Sequence, residues 1–363
     1  MSAGTGDHCD LFATTNVGLE FVVASELAEK LPGCVVAPVS VSPDGKASPD
    51  AGKVFFAMGP GQPVSQAVER LRSPEQIYAL VGCLKAGLSL EKEVGLAQLH
   101  ALASNAPQDA WDAAVRSWRA MALDGESRAT RQPTFCVRAV RRERSQKHGY
   151  NRHEIEVTVG DAIYERFGWP VKLKGPDMAV YADIYDDTAV VGVALLPEAS
   201  HLERRRQEKD AGVGSTPMRR STAYAMIRLL DLHPGDICVD CMCGSGSLLL
   251  EGAASFARAV YIGSDVCAVD IGKAGANATV QGQHHRVDLG VFDACRLPFR
   301  KASVDAMVVD LPFGRRHGSH RQNQSLYPRA LRECARVMRA GGRAVMLTMD
   351  KAVMKHACGN NKQ

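Results

Sequence analysis

Long apolar runs are missing from this 363-residue chain. No stretch of about 18 apolar residues occurs, which excludes an ordinary membrane-spanning helix. Met1 to Asp10 lack a basic stretch followed by an apolar one, which argues against secretion. An even disulfide framework is missing too: the 11 cysteines are scattered, and the odd number fits reduced thiols. No metal site is expected, because the closest cysteines, Cys241 and Cys243, sit within a glycine loop. These absences predict a soluble intracellular protein without a membrane partner.

What is present is a globular composition, 45% hydrophobic and 23% charged. The length suits about two domains at roughly 150 residues each. Net charge is only +4, yet it is unevenly placed. Arg131, Arg138, Arg141, Arg142, Arg144, Lys147 and Arg152 face a single acid, Glu143, within one short stretch. A second cluster holds Arg204, Arg205, Arg206, Lys209, Arg219 and Arg220, and a third Arg315, Arg316 and Arg321. Three basic islands in a nearly balanced chain point to a polyanion met at several places, the alternative being separate solvated faces.

The chain reads as two halves of different character. The first is α+β. A helix is predicted over Phe21 to Leu31, and short strands over Val35 to Val41, Val54 to Met58 and Ile77 to Cys83. An Ala-rich helical stretch from about His100 to Pro133 reads as a connecting helix or an insertion. From Thr134 the pattern is strand, helix (His153 to Phe167) and a hairpin, Met178 to Tyr185 with Thr188 to Leu195, turning at Asp186-Asp187. Pro197 to Thr216 is polar and reads as a linker. After Pro217, strands and helices alternate, which predicts an α/β doubly wound parallel sheet. The expected divisions are 1–133, 134–197, a linker at 198–216, and 217–363.

The second half carries the chemistry. Val239-Asp240-Cys241-Met242-Cys243-Gly244-Ser245-Gly246-Ser247 follows a short strand and opens a helix. Two glycines let the backbone approach a ligand whose anionic group favours the helix start. The dinucleotide fingerprint needs a further Gly or Ala where this chain has Leu249, and a phosphate-loop Lys-Ser/Thr is absent. What remains suits a ligand with an amino-acid end and a nucleoside end. Asp265, closing the next strand, is placed to accept from ribose hydroxyls, and Asp293, after the third, from an adenine amine. Asp310-Leu311-Pro312-Phe313 closes the fourth. An exocyclic nucleobase amine is a poor nucleophile, because its lone pair is delocalised into the ring. Asp310 and the carbonyl of Leu311 or Pro312 can accept its two hydrogens, direct the lone pair at a methyl donor and stabilise the developing charge. Pro312 stiffens the turn and Phe313 offers a stacking face. The alternative is a turn-capping Asp and a core ring.

In this order the four segments resemble class I S-adenosylmethionine-dependent methyltransferases. Asp310-Leu311-Pro312-Phe313 is similar to the (Asp/Asn)-Pro-Pro-(Tyr/Phe) signature of those acting on planar nitrogens. Thr134 to Leu195, with its Val191-Gly192-Val193-Ala194-Leu195 ending, resembles a THUMP module behind a ferredoxin-like region. Pro217 to Tyr224, Asp310 to Ser319 and Leu326-Tyr327-Pro328 resemble segments of the THUMP-containing guanine-N2 tRNA methyltransferases. The resemblance implies a Rossmann-like catalytic domain and N2-methylation of a guanosine in the tRNA acceptor stem, of the position 6 type. It further implies a THUMP module docked on the tRNA 3′ end and a small zinc-binding activator subunit; the expected residence is cytoplasmic, with a nuclear pool left open. S-adenosylmethionine would be held by Asp240, Gly244, Gly246, Asp265, Asp293 and Thr222, and the guanine by Asp310, Pro312 and Phe313. Arg138, Arg141, Arg142, Arg144, Lys147, Arg152, Arg315, Arg316 and Arg321 would meet RNA.

The family continues past the fifth strand with a helix and an antiparallel hairpin, whereas only Met349 to Gln363 follow here. The expectation is therefore a C-terminally shortened form, an isoform or an incomplete gene model, whose strand Ala344-Val345-Met346-Leu347 is an uncovered edge. Two alternatives follow: a silent product that binds RNA or the activator subunit, and methyl transfer to another planar nitrogen, adenine N6 or a glutamine.

Overall fold

A computed structural model of the chain describes residues 10–39, 51–121, 132–143, 147–195, 218–312 and 320–359. The chain divides into two units, Met1–Arg205 and Arg206–Gln363.

The first unit opens on a strand absent from the sequence expectation, β1 (Asp10–Thr14), whose five residues carry too short a pattern to register. It is followed by α1 (Glu20–Lys30), β2 (Val35–Val36), β3 (Lys53–Ala57), α2 (Ser65–Arg70) and β4 (Gln76–Leu84). Then come α3 (Lys92–Ser104), α4 (Gln108–Ala120), β5 (Phe135–Arg142), α5 (Arg152–Phe167), β6 (Met178–Tyr185) and β7 (Thr188–Ala194). The strands form one sheet in the order β2-β3-β1-β4-β7-β6-β5. The division expected at residue 133 thus falls inside a continuous sheet, because β4 pairs antiparallel with β7, Tyr78 opposite Ala194.

Strand alternation sorts side chains onto two faces. Leu11, Ile77, Val180 and Val191 pack beneath the helices with Leu27, Leu99, Ile155 and Val159. On the other face Phe12 stacks on Tyr78 at 4.8 Å and Tyr78 on Tyr181 at 4.5 Å. The Ala-rich stretch is two helices, and it is core rather than insertion. Trp111 and Trp118 are each 1% exposed, and the Trp111 indole N–H donates to the Ala103 carbonyl at 3.2 Å. The Arg166 guanidinium donates to the carbonyls of Ser104 and Ala106, both at 2.6 Å, satisfying acceptors that the end of α3 leaves open. At the other end of α5, Asn151 and Glu154 form a reciprocal capping box.

The second unit contains α6 (Arg220–Leu229), β8 (Ile237–Asp240), α7 (Ser247–Ser255), β9 (Val260–Asp265), α8 (Ala268–Val280) and β10 (Val287–Val291). It continues with β11 (Val304–Asp310), α9 (His320–Val337), β12 (Met338–Leu347) and α10 (Lys351–Gly359). Five parallel strands lie in the order β10-β9-β8-β11-β12. Cys238, Leu249, Tyr261, Ala278 and Val308 pack on one face, and Val239, Met307, Val309, Tyr327 and Cys334 on the other. After β10 the chain crosses β8 to lay down β11, so order reverses between β8 and β11. In such sheets the crevice beyond the carboxyl ends of the strands at this reversal is where ligands bind.

Helix α9 runs through Pro328, which stands in its interior rather than in its first turn. Among the described residues β12 pairs only with β11, leaving it at the sheet edge. Ala344 is exposed and Val345, Met346 and Leu347 are half-buried there, in line with the expected edge.

A buried ionic group ties strands of the first unit together. The Asp183 carboxylate on β6 lies 3.1 Å from the Lys53 ammonium on β3 and 2.6 Å from the Arg142 guanidinium on β5. Lys53 and Asp183 are 3% and 1% exposed. Removing one member of such a group leaves charge stranded in low dielectric. Asp183→Ala is expected to lower stability by about 3–5 kcal/mol, read as a lower urea midpoint with an unchanged denaturant slope; an unaltered midpoint would contradict this.

Candidate active site

Asp240 closes β8 and is buried, its Oδ1 accepting the Met242 N–H at 3.0 Å. The chain then turns through Gly244 and Gly246, both in the left-handed region at φ +52° and +87°, where L side chains are strained. A Cβ on Gly246 would also stand 3.2 Å from that of Ala274 on α8, so the glycine lets loop and helix approach. Besides the Asp265 contact described below, two tertiary bonds hold the loop. The Cys243 N–H donates to Ser264 O at 2.9 Å, and the Asn277 side-chain N–H to Ser245 O at 3.1 Å. Asn277 is a positioning residue that the sequence reading lacks; its only local signal is an amide in the otherwise small-residue segment Ala274 to Ala278 of α8.

Asp265 ends β9 with both carboxylate oxygens engaged, one by the Gly244 N–H at 3.0 Å and the other by the Cys267 N–H at 2.9 Å. Each oxygen keeps a lone pair for a ligand hydroxyl. Asp293 is exposed beyond β10, its Oδ1 accepting from Cys295 N–H at 2.8 Å. Val291 pairs with Asp265 across the parallel ladder, so Val266 and Phe292 sit one residue past matched strand ends. They are 75% and 37% exposed, two apolar side chains beside the acids, suited to a flat ring. Neither was anticipated, although Val266 directly follows a strand-ending acid and Phe292 directly precedes one of the expected acids, both visible in sequence.

At the end of β11 the Leu311 N–H donates to Leu347 O at 3.0 Å, fixing the start of the turn. The Pro312 carbonyl accepts twice, from the Asn323 amide at 2.7 Å and the Tyr327 hydroxyl at 2.8 Å. Of the two carbonyls considered from sequence, Pro312's is therefore filled from within, while Leu311's has no hydrogen bond among the described residues. One carboxylate oxygen of Asp310 is buried without a partner. Burial pushes the Asp310 carboxyl up to about 6. Asp240 is raised well above the carboxylate range, by burial first and then by the charges of Asp310 and Asp265. Three carboxyl groups from β8, β9 and β11 thus gather at the reversal point.

The remaining expected residues are placed less uniformly. Phe313, Arg315 and Arg316, and likewise Arg131, Arg144, Arg204, Arg205, Arg206 and Lys209, lie outside the described residues. Thr222 is the third residue of α6 and half-buried. Lys147 and Arg321 are exposed. The strand alternation of β5 separates the first basic island. Arg138 donates to Leu173 O at 3.1 Å, and Arg142 reaches Asp183 and Ala51 O. From the opposite face Arg141 bonds Tyr150 O and lies 3.3 Å from Glu143, and Arg152 pairs with Glu156 at 3.0 Å. Cys238 and Cys241 have Cys-x-x-Cys spacing, but β8 buries them on opposite faces of its sheet, so that spacing does not make a ligand pair.

Two family models match the chain: "RMKL-like, methyltransferase domain" over residues 206–363 and "THUMP domain" over 119–194. The tRNA (guanine(6)-N(2))-methyltransferase THUMP3 of Bos taurus is 37% identical over 218 residues, 57% of this chain and 42% of that protein. The match with this relative thus spans less than half of its length. The tRNA (guanine(6)-N2)-methyltransferase of Thermus thermophilus is 30% identical over 350 residues, 96% of this chain and 91% of that one. Among solved structures, TrmN from Thermus thermophilus aligns with a TM-score of 0.68 and 28% identity, over 96% of this chain and 91% of the other. With both domains matched in order and nine-tenths of the Thermus protein covered, the chain belongs to the family of THUMP-domain methyltransferases.

Proposed function

We propose that this chain is an S-adenosylmethionine-dependent methyltransferase that acts on the exocyclic N2 of a guanosine in tRNA, at position 6 of the acceptor stem, with the THUMP module docked on the tRNA 3′ end. The observation that carries the reading is the gathering of Asp240, Asp265 and Asp310 at the strand reversal. The charges of Asp310 and Asp265 add to burial in raising the Asp240 carboxyl, and a cationic ligand seated among the three would offset this. A sulfonium with an amino-acid ammonium is such a ligand. The remaining lone pairs of Asp265 suit a ribose, and Val266 with Phe292 suits the adenine. Thr222 and Asp293 belong to the same proposed binding set.

S-adenosylmethionine supplies, when bound, an electrophilic methyl group. The chain's own part is to make an amine nucleophilic. Asp310 and the Leu311 carbonyl accept the two N–H groups of guanine N2, which turns the nitrogen lone pair out of ring conjugation and toward the methyl donor. As the nitrogen gains positive charge, the adjacent carboxylate stabilises it more than it stabilises the neutral amine. Phe313 is proposed to stack on the guanine. Lys147 and Arg321, exposed, and Arg138, Arg141, Arg142, Arg144, Arg152, Arg315 and Arg316 are proposed RNA contacts. A small zinc-binding activator subunit rests on the family resemblance; the proposed residence is cytoplasmic, with a nuclear pool left open. No helix among the described residues is long and apolar enough to cross a membrane.

The direct test is transfer of labelled methyl from S-adenosylmethionine to unmodified tRNA, with mass spectrometry of the digested nucleosides. N2-methylguanosine is expected, and Asp310→Ala should lower kcat by at least about a hundredfold. Label incorporation that survives this change, or label found only in adenosine, would refute the assignment.

The pH dependence follows from Asp310. Its carboxyl, raised to about 6, must be ionised to stabilise the positive charge that develops on the amine, so kcat/KM should fall about tenfold per pH unit below that value. Because the folded state binds this proton more tightly than the unfolded chain does, the group lowers stability as pH rises from the ordinary carboxylate value toward 6. Asp310→Asn should therefore remove the acid limb and raise stability at neutral pH by about 1 kcal/mol, after discounting for partial exposure. A limb that persists in the variant would assign the ionisation to another group.

A further inference from the structure

We infer that Asn323 and Tyr327 form a positioning clamp that sets the acceptor geometry of the Asp310-Leu311-Pro312 turn, an inference resting on the methyl-transfer reading above. The two residues stand four apart on α9, so one helix face presents both donors to one oxygen. Both are fully buried, and their bonds to the Pro312 carbonyl are 2.7 and 2.8 Å. A carbonyl oxygen has two lone pairs. With both taken, Pro312 is withdrawn as an acceptor, and the preceding peptide presents Leu311's carbonyl next to the Asp310 carboxylate.

The proton order in this group has one solution. The Tyr327 hydroxyl has a single hydrogen, and Pro312 accepts it. The Thr348 hydroxyl, 3.0 Å from Tyr327, must therefore donate to the phenol oxygen. Thr348 in turn accepts the Asp350 N–H at 2.9 Å. A directed chain thus runs from the junction of β12 and α10 through Thr348 and Tyr327 to the turn.

Asn323 gives a second, independent indication. Its carbonyl oxygen is buried and has no partner, although the side chain is 0% exposed. A leucine has the same branched skeleton and would leave no orphaned acceptor, so burial alone does not explain the amide. What the amide supplies is a donor aimed at Pro312. A turn pinned at its third residue by two donors cannot rotate its first two acceptors away from an incoming amine, and a misplacement of about 1 Å at such a position lowers rates strongly.

The test uses the full chain with S-adenosylmethionine and tRNA. Tyr327→Phe and Asn323→Ala should each lower kcat about ten- to a hundredfold, while KM for S-adenosylmethionine stays within about twofold, because the cofactor acids lie on other strands. Their effects should be less than multiplicative in the double variant, since both donors serve one oxygen. Asn323→Asp supplies a readout that simple packing would not. Ionised, the introduced carboxylate repels the carbonyl; protonated, it donates again, so its activity relative to wild type should recover as pH falls. An unchanged kcat in folded Tyr327→Phe and Asn323→Ala proteins, or losses of kcat and of cofactor affinity that track a falling Tm, would overturn the clamp. If wild-type protein transfers no methyl group, the proposed activity fails on its own account. Sub-additive Tm shifts in the double variant would then still support the shared acceptor, and strictly additive shifts would overturn it.

Discussion

Carboxylates do not gather in a partly buried crevice without an opposing force. In the second unit that force is the parallel ladder. Hydrogen bonding of β9 and β11 to either side of β8 brings Asp265, Asp240 and Asp310 to neighbouring strand ends, whatever their mutual repulsion. The apolar layers on both sheet faces stabilise the ladder, and the acids ride on it. The cost appears as raised pKa values, at Asp310 through burial and at Asp240 through burial and then the charges of Asp310 and Asp265. Fold stability and site chemistry are therefore opposed locally.

Asp265 differs from its neighbours in that backbone N–H groups engage both of its carboxylate oxygens. Accepting from Gly244 and from Cys267, it closes the glycine loop over the start of α7 and leaves only spare lone pairs outward. One side chain thus both shapes the loop and contributes to the face a nucleoside would meet. Asn277 braces the same loop from behind. The site is built less from the residues that face the crevice than from the amides and hydroxyls that hold their backbones.

That distinction marks what could be read from sequence. Strands β8, β9 and β11 are short apolar runs that end in an acid, and the glycines at 244 and 246 have few other uses, so the acids and their order were visible. So was the doubly wound class, from strict alternation after Pro217. Asn323, Tyr327 and Asn277 were not, because each donates to a carbonyl distant in sequence and leaves no periodic trace. Nor was the internal use of Arg142, whose partner Asp183 sits within an alternating strand where an acid reads as solvent-facing. Pro328 has the look of a first-turn residue, yet tertiary packing of Tyr327 and Cys334 carries helix α9 through it. Similarly, the two tryptophans of α4 read as part of a connecting helix or an insertion, whereas their burial makes them core.

The antiparallel seam between β4 and β7 has an implication for synthesis. Tyr78 emerges from the ribosome long before Ala194, the residue it lies opposite. Until then the early strands present an open flank of unpaired amides and carbonyls, with Ile77 and Ala79 awaiting their cover. Such late closure slows folding and exposes an adhesive border on the nascent chain. The intervening helices α3 and α4, which form from local contacts and carry both tryptophans, are suited to shelter that border until the final strand arrives.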